Sequence, residues 1–225
     1  MKNKMMKKIF YFVVLTFLLT ACSEKITRGT QYAKWYEEKP TTVLIMAPIN
    51  ETNFPEAKEY FYTALYQPLC EKGYYVFSPN MTMEMLQSES AYDSEMFIDG
   101  NLSKFSEFLA ADACLFTKIK SWKRNNVGGK LRVGIEYILK STKTGETLYK
   151  REGDISVDTS VSTGNVLTSL IATAISTAVT DKVVAGQRCT AFVLSDMPVG
   201  KYAPNYDQDM SEQAGKPFVK AKVDK

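Results

Sequence analysis

Apolar positions change their spacing several times along the chain, and each change predicts an element. Thr42 to Ala47 is a continuous apolar run closed by Pro48, the pattern of a strand buried on both faces. Beyond the loop Asn50-Glu51-Thr52-Asn53-Phe54-Pro55, residues Ala57, Phe61, Ala64, Leu65 and Leu69 recur at helical spacing. A helix is therefore expected from Pro55 to about Lys72, kinked near Pro68. Gly73 stops it, and Tyr74-Tyr75-Val76-Phe77 forms a second strand ahead of Pro79. Strand, helix and strand at this spacing make a βαβ unit with parallel strands and a right-handed crossover.

Two short helices follow, one capped near Asn80 or Thr82 and reaching Leu86, the other over Leu102 to Ala110, before a third strand from Ala113 to Trp122. The pattern then turns antiparallel. Turn-rich stretches at 125–129 and 142–145 separate Lys130 to Lys140 from Glu146 to Ser156. Leu131, Val133, Ile135, Tyr137 and Leu139 alternate with more polar residues, as in a strand with one well-buried face. Val166 to about Arg188 reads as a long helix with Ser169, Thr173, Ser176 and Thr180 along one side; it packs on the sheet or, alternatively, offers small side chains to a second copy. The fold class is α/β: a single domain over 40–197, a mixed sheet with a parallel βαβ start and an antiparallel meander, and helices packed on the sheet. Residues 198–225 form an extended tail, partly ordered by Tyr202 and Tyr206 and loose from Gln208 onward.

The start of the chain follows another logic. Lys2, Lys4, Lys7 and Lys8 precede an apolar run from Ile9 to Leu19, shorter than the roughly 20 residues of a membrane span, and Leu19-Thr20-Ala21-Cys22 closes it. This is the pattern of a bacterial lipoprotein signal peptide. Residues 1–21 are expected to be removed, leaving Cys22 as the lipid-bearing first residue and 22–39 as a lipidated N terminus and polar tether. Acyl chains contribute about 0.8 kcal/mol per buried methylene, so a multiply acylated Cys22 would hold the domain firmly on a membrane. Ser23 rather than an aspartate follows the cysteine, which points to the outer membrane and its periplasmic side. Glu24 is a lone acid, so the cell surface is the alternative.

Composition narrows the chemistry. Removing residues 1–21 leaves 204 of 225 residues and takes away four of the 28 Lys+Arg but none of the 25 Asp+Glu, so a net charge of +3 becomes −1. The basic balance belongs to the signal segment, and no nucleic-acid partner is expected. Histidine is absent, which removes Ser-His-Asp and Cys-His catalysis and His-containing zinc sites. Besides Cys22 there remain Cys70, Cys114 and Cys189, which allow at most one disulfide with one thiol over; with no Cys-x-x-Cys spacing, Cys70 and Cys114 in apolar slots read as buried free thiols.

The remaining constellations are weak. Serine followed three residues on by lysine occurs nowhere, and Gly128-Gly129-Lys130 lacks the upstream glycine of a phosphate loop. Asp207-Gln208-Asp209 starts like a calcium loop but has Glu212 at position six and no closing glutamate, so it reads as a solvated tail. Glu56 and Glu59 share a helix side without a partner for acid–base work. Lys118, Lys120, Lys123, Arg124, Arg132, Lys140, Lys150 and Arg151 gather on the meander near Trp122; a solvated face balanced by Glu136, Glu146 and Glu152 accounts for them, with an anionic lipid or glycan contact as the alternative. The aromatic group Tyr60, Phe61, Tyr62, Tyr66, Tyr74 and Tyr75 reads as packing before glycan stacking.

The lipobox at Cys22, Ala47-Pro48-Ile49-Asn50-Glu51-Thr52, Leu69-Cys70-Glu71-Lys72-Gly73-Tyr74-Tyr75-Val76-Phe77, Ala111-Asp112-Ala113, Glu136-Tyr137-Ile138-Leu139 and Thr144-Gly145-Glu146-Thr147-Leu148-Tyr149 occur in one order over about residues 20–205. In that order the chain resembles a family of bacterial lipoproteins carrying a domain of unknown function, whose genes often accompany one for a lipoprotein similar to the curli export channel. The resemblance implies an α/β fold similar to the N-terminal domain of the translocation protein TolB, a homodimer as one available state, a curli-export-channel-like lipoprotein as a candidate partner, and no catalytic residues to carry over.

Two function classes follow. The first is a non-enzymatic outer-membrane lipoprotein, anchored through Cys22, that binds protein as an accessory of secretion or envelope assembly. The second binds a small ligand or glycan at the carboxyl ends of the parallel strands, with Asn50, Glu51, Thr52 and Ser78 as its edge. No catalytic residue, cofactor site or metal site is expected in either.

Overall fold

The computed structural model describes residues 25–90, 92–125, 130–158 and 172–223. Its sheet is built on β1 (Thr42–Ile45), whose Val43, Leu44 and Ile45 are fully buried, as a continuous apolar run requires. β1 lies parallel to β3 (Tyr75–Val76) on one side and to β4 (Ala113–Asn125) on the other. β4, β5 (Lys130–Ser141) and β6 (Thr147–Asp158) form the expected antiparallel meander. The short β2 (Ile49–Asn50) continues the line of β1 along β4. Six residue steps from Val43 to Ile49 run beside five from Ala113 to Lys118, so one residue bulges out near Pro48, which has no N–H for the ladder.

Alternation along the strands divides the interior into two cores. Val43, Ile45, Ala113, Leu115, Ile135, Tyr137 and Leu139 face one side; Leu44, Met46, Cys114, Phe116 and Ile138 face the other. The second side is covered by α5 (Pro79–Ser88), α6 (Glu95–Ile98) and α7 (Ser103–Leu109), through Leu86, Ile98 and Phe105. The first is covered by α3 (Ala57–Ala64), α4 (Tyr66–Glu71) and α8 (Ala172–Val193). The single kinked helix expected before Gly73 is two helices. A proline inside a helix clashes with the carbonyl four residues earlier, and for Pro68 that residue is Ala64, where α3 ends. Gly73 closes α4 at φ 83°, its N–H bonded to the Cys70 carbonyl.

α8 runs five residues past its expected end and passes close over α3: a Cβ on Gly186 would stand 3.2 Å from the Tyr60 carbonyl oxygen. Ser169 and the side chains of Thr173, Ser176 and Thr180 lie outside the described residues, as does the Gly128-Gly129 turn. Cys70 is exposed rather than in an apolar slot, because α4 turns its Leu69 inward instead; Cys114 and Cys189 are buried, and all three are free. Burial pushes both buried thiols up, Cys189 to about 12.

Both ends of the chain depart from the sequence reading. The segment read as a tether contains α1 (Arg28–Gln31) and α2 (Ala33–Glu38), and Trp35 is fully buried in the first core. The tail read as loose ends in β7 (Phe218–Val223), parallel to β6, with Lys220 and Lys222 exposed on this edge strand.

What ties the two ends together is a buried polar clasp. Arg28 holds Asp196 (3.4 Å), Asp209 (3.1 Å) and Glu212 (2.8 Å). The Tyr32 hydroxyl donates to Asp196 (2.5 Å) and that of Tyr36 to Asp209 (3.0 Å). Arg151 donates to the carbonyls of Val193 (3.0 Å) and Lys216 (3.1 Å). Asp209 is thus a buried anchor and not part of a solvated tail, because the Tyr36 hydroxyl, the Arg28 guanidinium and the Val199 N–H converge on it. Close backbone contact adds to this: Gly200 N–H donates to the Lys72 carbonyl (2.8 Å), and a Cβ on Gly200 would meet the Gly73 carbonyl oxygen at 2.4 Å.

Two outcomes follow. Arg28→Ala leaves Asp196 and Asp209 buried without their cation and should lower unfolding stability by about 3–5 kcal/mol in urea denaturation. Lys72 donates to the Ser195 and Met197 carbonyls, and burial, reinforced by the positive charge of Arg28, pushes its amine down to about 8. A folded value below the usual 10.5 means that the folded chain binds fewer protons between these limits, so this group makes stability rise with pH from about 8 to 10.5. Denaturation of Lys72→Met across that window should show a flatter rise than the parent chain.

Candidate functional site

The carboxyl ends of the parallel strands open into a cleft of about 510 Å³. Its near wall is the loop after β2, which is closed by its own side chains. Asn50 donates through Nδ2 to the Phe54 carbonyl (2.8 Å), and its Oδ1 accepts from the Thr52 N–H (3.0 Å) and Oγ1 (2.7 Å). Thr52 Oγ1 in turn accepts from the Phe54 N–H (3.2 Å). The Glu51 N–H donates to the Ile119 carbonyl (3.0 Å), which pins the loop to β4.

The far wall comes from β4. Its ladder with β5 slips between Ile119 and Ser121, so Lys120 is the extra residue of a bulge. The bulge turns Trp122 toward the first core, where its ring stacks on Phe54 at 5.3 Å and 8° and lies 6.1 Å from Tyr60 at 22°. Phe61 meets the same indole edge-on at 5.9 Å. Lys182 of α8 sets its ammonium 4.8 Å from the Phe54 ring centre, a cation–π contact of about 0.5–2 kcal/mol. The cleft thus offers a flat aromatic cluster bordered by Lys120, Lys123 and Lys182, with Glu51 as the carboxylate among its described lining residues. Such a surface offers the partly exposed Trp122 indole and, beside it, the exposed ammonium of Lys123.

Of the four edge residues expected, Glu51 and Thr52 line this cleft, Asn50 shapes its loop, and Ser78 stands apart as the residue preceding α5. Cys22 lies outside the described residues. Phe54 ends the stretch expected to form the edge, whereas Trp122 and Lys182 were not expected beside it. The aromatic letters near Phe54 and at Trp122 were visible, but the bulge that brings Trp122 across has no sequence signature. No group of His, Cys, Asp and Glu that could hold a metal occurs among the described residues.

Most of the described basic residues of the meander are taken up by partners rather than left as an open cationic face. Lys120 binds Glu152 (2.8 Å) and Glu136 (3.3 Å), Lys150 binds Glu136 (3.0 Å), and Arg132 pairs with Asp154. Burial works against the Glu136 charge, but Lys150 and Lys120 hold its carboxyl below the usual range. Lys140 donates to the Ile98 carbonyl, and Arg151 points to the other side of the sheet, into the clasp. Cross-strand pairing accounts for Lys120, Arg132 and Lys150, while the Arg124 side chain lies outside the described residues.

Residues 30–196 match the family profile described as "Putative lipoprotein GNA1162-like", and residues 6–23 match the prokaryotic membrane lipoprotein lipid attachment site. No curated protein matches the chain. Among solved structures, lipoprotein GNA1162 from Neisseria meningitidis is similar at 19% identity and a TM-score of 0.47, over 65% of this chain and 99% of that one. A PelC dodecamer from Paraburkholderia phytofirmans is similar at 15% and 0.38, over 70% and 87%. The LpoB C-terminal domain from Escherichia coli is similar at 16% and 0.35, over 56% and 93%. With 167 residues of its α/β domain matched in one continuous stretch, the chain belongs to the GNA1162-like family of lipoproteins.

Proposed function

We propose that this protein is an outer-membrane lipoprotein, lipidated on Cys22 and facing the periplasm, whose α/β domain serves as a non-enzymatic binding partner in an envelope or secretion assembly. The observation that carries the reading is the junction of a lipid-attachment match ending at residue 23 with a packed domain whose first helix starts at Arg28. Ser23 at the position after the anchor supports the outer membrane. The cleft presents stacking and cationic contacts without a paired acid and base, which suits binding better than proton transfer.

A second reading is supported by the Phe54–Tyr60–Trp122 cluster: a ring-bearing ligand, such as an oligosaccharide, held at the carboxyl edge.

Metabolic labelling with an alkyne fatty acid should mark the full chain and should fail on Cys22→Ser, with the labelled protein in the outer-membrane fraction of a density gradient. Label persisting on the serine variant would refute the anchor. In-cell crosslinking of the tagged protein should then recover a second envelope protein in stoichiometric amount; recovery of this chain alone would contradict the accessory role. For the second reading, Trp122 is the partly exposed tryptophan and Trp35 the buried one, so titration with peptidoglycan-derived oligosaccharides should change Trp122 emission saturably and leave Trp122→Phe silent. A linear or absent response would remove the ligand reading.

A further inference from the structure

The clasp fixes where the chain enters the domain, and chain length then limits how far that entry point can be from the lipid. The backbone of residues 26–29 is sewn to 210–214. The Ala214 N–H donates to the Ile26 carbonyl (2.8 Å), the Arg28 N–H to the Glu212 carbonyl (2.8 Å) and the Gly29 N–H to the Met210 carbonyl (2.9 Å), with a bridge between Thr27 and Gln213. Beneath it, Arg28 is held by Asp196 and Asp209. From Cys22 to Thr27 there are five residue steps, which reach at most about 18 Å fully extended.

Side chains on this seam suit a lipid surface. Ile26 is 57% exposed, and Met210, in the turn that the Glu212 N–H closes onto the Asp209 carbonyl (3.0 Å), is 45% exposed, although both are apolar. Lys25 and Lys216 are exposed nearby, while Glu212 is taken up by Arg28. Two apolar side chains bordered by free ammonium groups match the boundary between acyl chains and anionic headgroups. Among the helices, the strongly exposed apolar side chains Met81, Met96 and Phe108 lie on α5, α6 and α7, across the sheet.

We infer that the seam of residues 26–29 and 210–214 rests on the membrane, with Ile26 and Met210 set into the headgroup boundary, so that the domain is held flat against the bilayer in one orientation. This rests on the reading that Cys22 carries the lipid.

The test uses the full lipidated chain with Cys70→Ser, so that the remaining native thiols are buried or acylated. Ile26→Cys, Met210→Cys and Phe108→Cys each receive an environment-sensitive fluorophore. Each protein is then reconstituted on vesicles of phosphatidylethanolamine, phosphatidylglycerol and a headgroup spin-labelled lipid. Flotation is scored first: protein that stays behind removes the anchor reading, and this inference with it. For floating protein, most emission at positions 26 and 210 should be lost to the spin label, while position 108 keeps nearly all of its own. Equal, weak quenching at all three positions would overturn the inference and leave the anchor intact. Shielding of 26 and 210 from iodide that needs no lipid and grows with protein concentration would assign the seam to a second copy, and would overturn it as well.

Discussion

The rest of the domain depends on a strand that has no solvent side. Val43 and Ile45 of β1 point into one core and Leu44 and Met46 into another, and none of the four has exposed surface. Each fully buried aliphatic side chain is worth about 1.5–3 kcal/mol, but only if both faces of the sheet are covered. Three short helices after β3 supply one cover. The other needs more than α3, α4 and α8, and the gap is filled from the start of the chain: Tyr32, Trp35 and Tyr36 complete the first core.

That use of the N-terminal segment explains the clasp. Helices as short as α1 and α2 have little stability of their own, so their place must be fixed by tertiary contacts. Aromatic burial fixes Trp35, and the charged cluster fixes register. Asp196 and Asp209 are buried beneath a partly buried Arg28, whose attraction offsets the cost of taking them out of water, and the hydroxyls of Tyr32 and Tyr36 donate to the same two carboxylates. The same contacts bring residues near 28 and near 210 side by side. A chain anchored just ahead of residue 28 would therefore transmit the position of its anchor directly to the sheet.

Much of this was legible in the letters. The apolar run at Thr42–Ala47 announced β1, the i, i+4 spacing of Ala57, Phe61 and Leu65 announced the crossover, and the alternation Leu131–Leu139 announced the meander. What was not legible depends on distant partners. Trp35 and Tyr36 stand in a polar stretch too short to show a helical period, and Asp209 looks like any acid of a terminal tail until Arg28 and Tyr36 close on it. β7 carries the alternation Val219-Lys220-Ala221-Lys222, yet six residues near a chain end have no turn partner to mark them as a strand; its mate is β6, more than 60 positions earlier. At the cleft, Glu51 and Thr52 of the expected carboxyl edge are among the lining residues, whereas Trp122 comes in through a bulge that periodicity does not show, and the expected long helix gives no sign that its Lys182 meets Phe54.

For a family defined by a lipid anchor and an α/β domain, the central question is whether the domain hangs on a tether or begins where the anchor ends. Hydrogen exchange of the full chain on vesicles answers it most directly. If the N-terminal helices are part of the core, the amides of residues 29–32, 35, 36 and 39, bonded to the Met210, Thr27, Arg28, Tyr32 and Trp35 carbonyls, should exchange in the same slow class as those of β4. Exchange of that segment at open-loop rates, with β4 still protected, would contradict the account.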